Sequence, residues 1–186
     1  PLASVLLMNP AANVPQHACK WREVEQARKM YHRFKWTRAS HRRNGISQEY
    51  EPVQPYFLLA LIKATNCKTF VDVGANVGAY SVLMSEAVDN VIAFEANANA
   101  ANEMARNLSV NNLQVQIIRK VVSSRNGTVS FGTVSRLAGN SAVVATSAGQ
   151  NFRQTSDLES VTLDAILNEQ AEPFAIKIDV EGHEKE

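Results

Sequence analysis

The spacing of apolar positions changes several times along the chain, and each change marks an element. From Ala18 to Thr37 the residues Trp21, Val24, Ala27, Met30, Tyr31 and Phe34 recur at helical spacing with charge between them, which predicts an amphipathic helix. Ahead of it, residues 1–16 contain Pro1, Pro10, Pro15, Asn9 and Asn13 and read as an irregular lead-in; behind it, Asn44-Gly45 reads as a turn. Tyr50-Glu51-Pro52 opens a second helix running through Pro55 to Ala64. Phe70, Val71 and Val73 then lead into Gly74, with Gly78 four residues on and an amphipathic segment from Tyr80 to Val88. That is a buried strand, a glycine turn and a helix. Asn90 to Phe94, a helix from Ala98 to Leu108 and a strand at Val115 to Ile118 continue the alternation. A fourth strand is expected from Pro173 to Asp179. The rhythm is that of a parallel α/β sheet.

Residues 124–160 break this rhythm. Asn126-Gly127 is a turn, Thr128 to Phe131 alternates like a strand, and Arg136 to Gln154 is rich in Ala, Ser, Gly and Asn. Order resumes at Ser160 to Asp164, followed by a short helix to Asn168. A β-excursion carrying a mobile loop over the ligand face is expected, with Asn140 and Ser141 as substrate contacts or as plain linker.

Composition bounds the picture. With 186 residues, 45% of them hydrophobic, the chain can bury one sizeable core. Cys19 and Cys67 form neither a metal spacing nor a disulfide framework, which makes a reducing, cytoplasmic compartment the default. No apolar run approaches the ~20 residues of a membrane span, and PLASVLLM is too short for a secretion signal. The net charge of +1 is unevenly spread: between His17 and Glu49 nine Lys and Arg face three Glu. This basic arm reads as a helix with a solvated face; binding of nucleic acid, an anionic glycan or a membrane surface is the less favoured alternative.

Candidate chemistry concentrates at Asp72-Val73-Gly74-Ala75-Asn76-Val77-Gly78. Glycine admits positive φ and close approach of a ligand, and the helix behind offers unpaired N–H groups. A dinucleotide site wants glycine where Asn76 stands. A side chain there crowds a pyrophosphate but suits a ligand without phosphate, such as S-adenosylmethionine, with Asp72 placed to face its cationic end. Glu95 lies 17 residues past Gly78, close to the ~20 expected of an acid that grips ribose hydroxyls. Each such charged hydrogen bond contributes roughly 1.5–3 kcal/mol. A solvated loop residue or a helix cap is the plain alternative for Glu95. Val121 and Val122 sit where an adenine would lie, or are simply core.

Lys177, Asp179, Glu181, His183 and Glu184 crowd the end of the fourth strand. Ligands bind outside the carboxyl ends of strands in open parallel sheets, so this cluster falls beside Asp72 and Glu95. A charged strand-to-helix turn would explain one such residue; five at a ligand edge favour chemistry.

Taken together, VDVGANVGAYS, FEAN, VTLDAIL and KIDVEGHE resemble the FkbM-type methyltransferases that use S-adenosylmethionine, over about Tyr50 to Glu186. The resemblance implies a class I, Rossmann-like fold: a mostly parallel sheet with helices on both faces, here expected to be truncated after its fourth strand. It divides the chain into a basic helical extension, 1–49, and a cofactor-binding domain, 50–186, incomplete at its C-terminus. It implies O-methylation of a hydroxyl on a sugar, glycolipid or polyketide-like molecule. Cofactor roles fall on Asp72, Gly74, Asn76, Gly78, Ser81, Glu95, Val122 and Asp179. Asp179, Glu181 and His183 are the candidates for the acceptor's base, His183 on its ordinary pKa; an acid there could instead hold a divalent cation. The basic arm matches no part of the family. Two other readings compete: a nucleotide-dependent oxidoreductase, against which Asn76 argues, and a non-catalytic fragment or binding module working through the basic arm.

Overall fold

The structure, a computed structural model, describes residues 4–8, 33–43, 46, 51, 53–133, 141–144, 152, 154–167 and 173–180. The expected helix over residues 18–32, the Asn44-Gly45 turn, Asn140, Glu181, His183 and Glu184 lie outside the described residues.

In chain order the elements are β1 (Ser4–Met8), α1 (Arg38–Arg43), α2 (Gln54–Thr65), β2 (Thr69–Val73), α3 (Ala79–Met84), β3 (Asn90–Phe94), α4 (Ala98–Val110) and β4 (Gln116–Ile118). They continue as β5 (Val121–Val122), β6 (Gly127–Thr133), β7 (Ser141–Val143), β8 (Gln154–Val161), α5 (Leu163–Leu167) and β9 (Phe174–Ile178). One sheet has the order β1-β9-β2-β3-β4, a second the order β5-β8-β6-β7. In the first, β9, β2, β3 and β4 are parallel. The α/β, Rossmann-like class expected from the sequence is what the chain forms.

Every residue of β2 is buried, because the sheet is covered on both faces and alternation would leave polar groups without water. Phe70, Val91 and Ala175 face α2 and α3, packing on Tyr56, Leu59, Ile62, Leu83 and Met84. Val71, Val73, Ile92, Phe94 and Ile176 face the other way, onto Val161 and the α5 residues Leu163, Ile166 and Leu167. Local chemistry sets the helix ends. Pro55 occupies the first turn of α2, where an N–H has no acceptor, and Asn66 ends that helix at φ 53. Asn97 caps α4, accepting from the N–H of Asn99 and Ala100.

Three expectations need correction. Residues 4–8 are not irregular: they pair antiparallel with β9, Ser4 opposite Ile178 and Met8 opposite Phe174. The exposed ladder of β9 satisfies the backbone there, whatever the local propensity. Residues 33–37 are not helical. The side chain of Asn111 accepts from Lys35 N and donates to Lys35 O, and Asn107 accepts from Thr37 N, taking the bonds a helix would use. The second sheet is larger than the expected excursion, since β8 starts at Gln154 and Val121-Val122 pairs with it instead of extending β4.

Candidate functional site

From β2 the chain winds outward through β3 and β4, while β9 lies on the opposite side of β2. The order therefore reverses between β2 and β9, and ligands of open α/β sheets bind in the crevice that such a reversal opens at the carboxyl ends of the strands. A cleft of about 880 Å³, its open mouth and the adjoining solvent included, lies there.

The turn after β2 builds one wall. Gly74 and Ala75 donate their N–H groups to Phe94 O, both at 3.0 Å, which ties the turn to the end of β3. Gly74 has φ 74, and a Cβ there would stand 1.9 Å from the backbone oxygen of Asp179. Only glycine lets β2 and β9 end side by side. Gly78 has φ 85 and caps α3; a Cβ on it would meet Met104 at 2.7 Å, so it serves helix packing and does not line the cleft. Between them Asn76 has φ 52, a conformation that Asn tolerates better than most residues. It does there what glycine does in a dinucleotide turn while keeping a side chain, whose Oδ1 is buried without a hydrogen-bond partner among the described residues.

Glu95 follows β3 and is 8% exposed at the cleft wall. Its two carboxylate oxygens accept from Asn76 N and Asn97 N, each at 2.7 Å. Burial pushes its pKa up to about 7, against the opposing pull of those two N–H groups and Lys177. The bonds fix the carboxylate and leave lone pairs for a further donor.

Asp72 and Lys177 stand opposite each other in the β2–β9 register. Both are buried, and Lys177 Nζ lies 3.2 Å from Asp72 Oδ1. Ser81 of α3 donates to Asp72 Oδ2 at 2.7 Å. Asp72 and Ser81 do not line the cleft; they hold Lys177, which does. Its ammonium donates to Gly74 O at 3.1 Å, comes within 3.8 Å of Asp179 Oδ2, and lies 5.1 Å from the centre of the Tyr80 ring. Asp179 lines the mouth, its side chain 32% exposed and its N–H bonded to Val73 O.

The second sheet supplies the other wall. Val121, Phe131 and Val143 form one buried cluster, with Ala96 beside it, and line the cleft with Val122. An apolar slot next to a buried acid suits a heterocycle joined to a sugar. The structure thus gathers Gly74, Asn76, Glu95, Val122 and Asp179 at one cleft and sets Asp72, Gly78 and Ser81 behind it. Sequence reasoning counts Lys177 among the titratable groups without giving it a role; a single Lys inside the apolar run PFAIKID is the signal that could have found it. Tyr80, Phe131, Val143 and Ile46 also line the cleft and carry no signal of function in the sequence.

Residues 72–186 match the FkbM methyltransferase domain. The chain is 30% identical over 133 residues to the hexuronic acid methyltransferase AglP of Haloferax volcanii, covering 72% of this chain and 54% of that protein. It therefore spans about half the length of this curated relative. Among solved structures, StiE O-MT aligns at 16% identity and a TM-score of 0.34, over 51% of this chain and 37% of that one. The Pyrococcus abyssi tRNA (uracil-54, C5)-methyltransferase, in complex with S-adenosyl-L-homocysteine, aligns at 19% identity and 0.28, over 38% and 20%.

Proposed function

The chain belongs to the FkbM methyltransferase family, and from that premise we propose that its cleft binds S-adenosylmethionine and directs methyl transfer to an oxygen of a sugar-like acceptor. The observation that carries this reading is Glu95, buried at the end of β3 with both oxygens tied to backbone N–H groups of the glycine turn and the α4 cap. In that position it accepts from ribose hydroxyls. Val121, Val122 and Phe131 take the adenine, and the turn from Gly74 to Asn76 faces the amino-acid end. Asp72 and Ser81 contribute through Lys177, which holds the Gly74 carbonyl in place.

When bound, the cofactor supplies a methyl group on a sulfonium, already activated for displacement. The protein's task is positioning, with donor carbon and acceptor oxygen about 3–3.5 Å apart and in line, and removal of one proton from a hydroxyl acceptor. Asp179 stands at the mouth and is the described residue placed for that proton; Glu181 and His183 follow it in the chain as the other candidates. The acceptor is a hydroxyl of a sugar, glycolipid or polyketide-like molecule, and the sugar class is supported by the name of the Haloferax relative. The oxidoreductase reading is not favoured, since the Asn76 side chain occupies the position where a pyrophosphate needs glycine.

Calorimetric titration of S-adenosylhomocysteine into the chain, with Glu95→Ala beside it, tests the cofactor site. Micromolar binding that the substitution removes is expected. A folded protein that takes NADH in preference would overturn the reading.

A further inference from the structure

Residues 33–43 and Ile46 precede both the matched region and the expected start of the domain, yet Ile46 reaches the cleft. Residues 33–43 are held by Glu103 and Asn107 of α4 and by its C-cap residue Asn111, spaced four residues apart. Asn111 bonds both backbone groups of Lys35. Glu103, 6% exposed, accepts from the hydroxyls of Thr37 and Ser40 and pairs with Arg106 at 2.8 Å. Asn107 is fully buried: its Oδ1 accepts from Thr37 N, and its Nδ2 lies 2.8 Å from Ser40 Oγ. The same Nδ2 lies 2.8 Å from the carbonyl of Val77, inside the glycine turn. One side chain thus joins the arm to the turn.

The arm then delivers an apolar residue. Thr37 Oγ1 accepts from Ser40 N to start α1, and Ile46 N bonds back to Ser40 O at 3.2 Å, bending the chain toward the cleft. Ile46 is 1% exposed, packs with Val77, Ala79 and Trp36, and forms part of the cleft wall. Its position covers the turn at Val77 and the first residue of α3.

We infer that the arm is part of the cofactor site: Ile46 is a binding residue that walls the amino-acid end of the cleft, and Asn107 is a positioning residue that fixes the glycine turn from behind through Val77. The inference rests on the reading of the cleft as a cofactor site. The physical case is that a turn with two glycines and a left-handed Asn holds its shape only where surrounding groups over-determine it. On this side the Asn107–Val77 bond is the group that does so. Ile46 keeps water off the buried side of the turn at Val77 and Ala79.

The test is S-adenosylhomocysteine titration into the full chain carrying Ile46→Ala, Ile46→Val or Asn107→Leu, with melting curves and amide exchange for each. Ile46→Ala is expected to weaken binding about tenfold and Ile46→Val less than about threefold, the effect growing with the apolar volume removed from the wall. Asn107→Leu is expected to weaken binding at least as much and to speed amide exchange at Ala75 to Gly78 while Val91 to Phe94 keep their protection. If Asn107→Leu fails to fold, Ile46→Ala decides. Wild-type binding that Ile46→Ala leaves within twofold would overturn the inference and leave the cofactor reading standing. A folded wild-type chain that ignores the ligand would overturn both.

Discussion

The two walls of the cleft are both β-structure, but they hold their side chains under opposite conditions. The parallel sheet buries β2 at every position and fixes its buried charges with bonds from other elements: Glu95 to the N–H groups of Asn76 and Asn97, Lys177 to the Gly74 carbonyl and Asp72. The second, mixed sheet exposes Gln154 to Asp157 and Glu159 of β8 and meets the cleft through apolar side chains of β5, β6 and β7. A doubly covered sheet can hold a charge only with every partner in place, while a half-solvated one can exchange apolar residues at little cost. The first wall thus suits the polar groups of a ligand, and the second an apolar ring.

The glycines give the sharpest contrast. Gly74→Ala sets a methyl against the Asp179 backbone at a left-handed φ. It should cost more than about 5 kcal/mol, enough to unfold a domain of ordinary stability. The atoms nearest a Cβ on Gly132 of β6 belong to the Phe152 ring, the first 2.2 Å away, a side chain rather than backbone. Gly132→Ala should therefore remain folded, and equal losses in urea unfolding would break the contrast.

Next come the ion pairs. Lys177→Met leaves the carboxylate of Asp72 buried without its ammonium, a loss of about 3–5 kcal/mol, and Lys177→Met with Asp72→Asn should recover much of it. Lys120 and Glu159 make a pair on the second sheet with side chains 35% and 61% exposed. Lys120→Met should cost under ~1 kcal/mol. Denaturation of all three variants at one pH measures the difference.

Glu95 extends the comparison to pH. Its folded value of about 7 lies above the ordinary 4.5, so the ionised form is the one penalised in the folded state. Below pH 4.5 the carboxyl is protonated whether the chain is folded or not, and the penalty is absent; stability is then lost as pH climbs toward 7. The rise from 4.5 to about 7 corresponds to roughly 3 kcal/mol at ~1.4 kcal/mol per pH unit. Between pH 4 and pH 8 the stability difference should move by about that much in favour of Glu95→Gln, while that variant binds S-adenosylhomocysteine at least tenfold more weakly at pH 8. Wild-type affinity should rise as pH passes 7, because ribose hydroxyls donate to the ionised form. A flat profile would mean that Glu95 does not meet the ligand.

Much of the first wall was legible in the sequence. The apolar run Phe70 to Val73 ending at Gly74, the strand ending at Glu95 and the run ending at Asp179 all carry their signals within a few residues. What was not legible depends on distant partners. β1 is a strand because β9 offers it an edge, against the reading of Pro1 and Pro10 around it. β8 presents mostly polar residues to water, so Gln154 to Glu159 show no apolar alternation. Phe34 falls at helical spacing after Met30 and Tyr31, yet it is half-buried on the domain outside any helix, because side chains of Asn107 and Asn111 claimed the backbone beside it. Ile46 and Asn107 look ordinary in sequence; only the meeting of the arm with the turn gives them a role.

The placement of β9 also bears on how the chain folds. β2, β3 and β4 are joined by short helical crossovers, so the glycine turn and Glu95 can come together from neighbouring segments. β9 must instead be inserted between β2 and β1, whose partner residues lie far off in the chain, Phe174 against Thr69 and Ser4 against Ile178. Loop closure of that span is entropically costly and is expected to come late. Until then Asp72 remains hydrated, and its buried pairing with Lys177 comes into being only with the last strand. Substitutions at Lys177 should accordingly speed unfolding and leave the folding rate nearly unchanged, whereas substitutions at Phe70 or Val91 should slow folding.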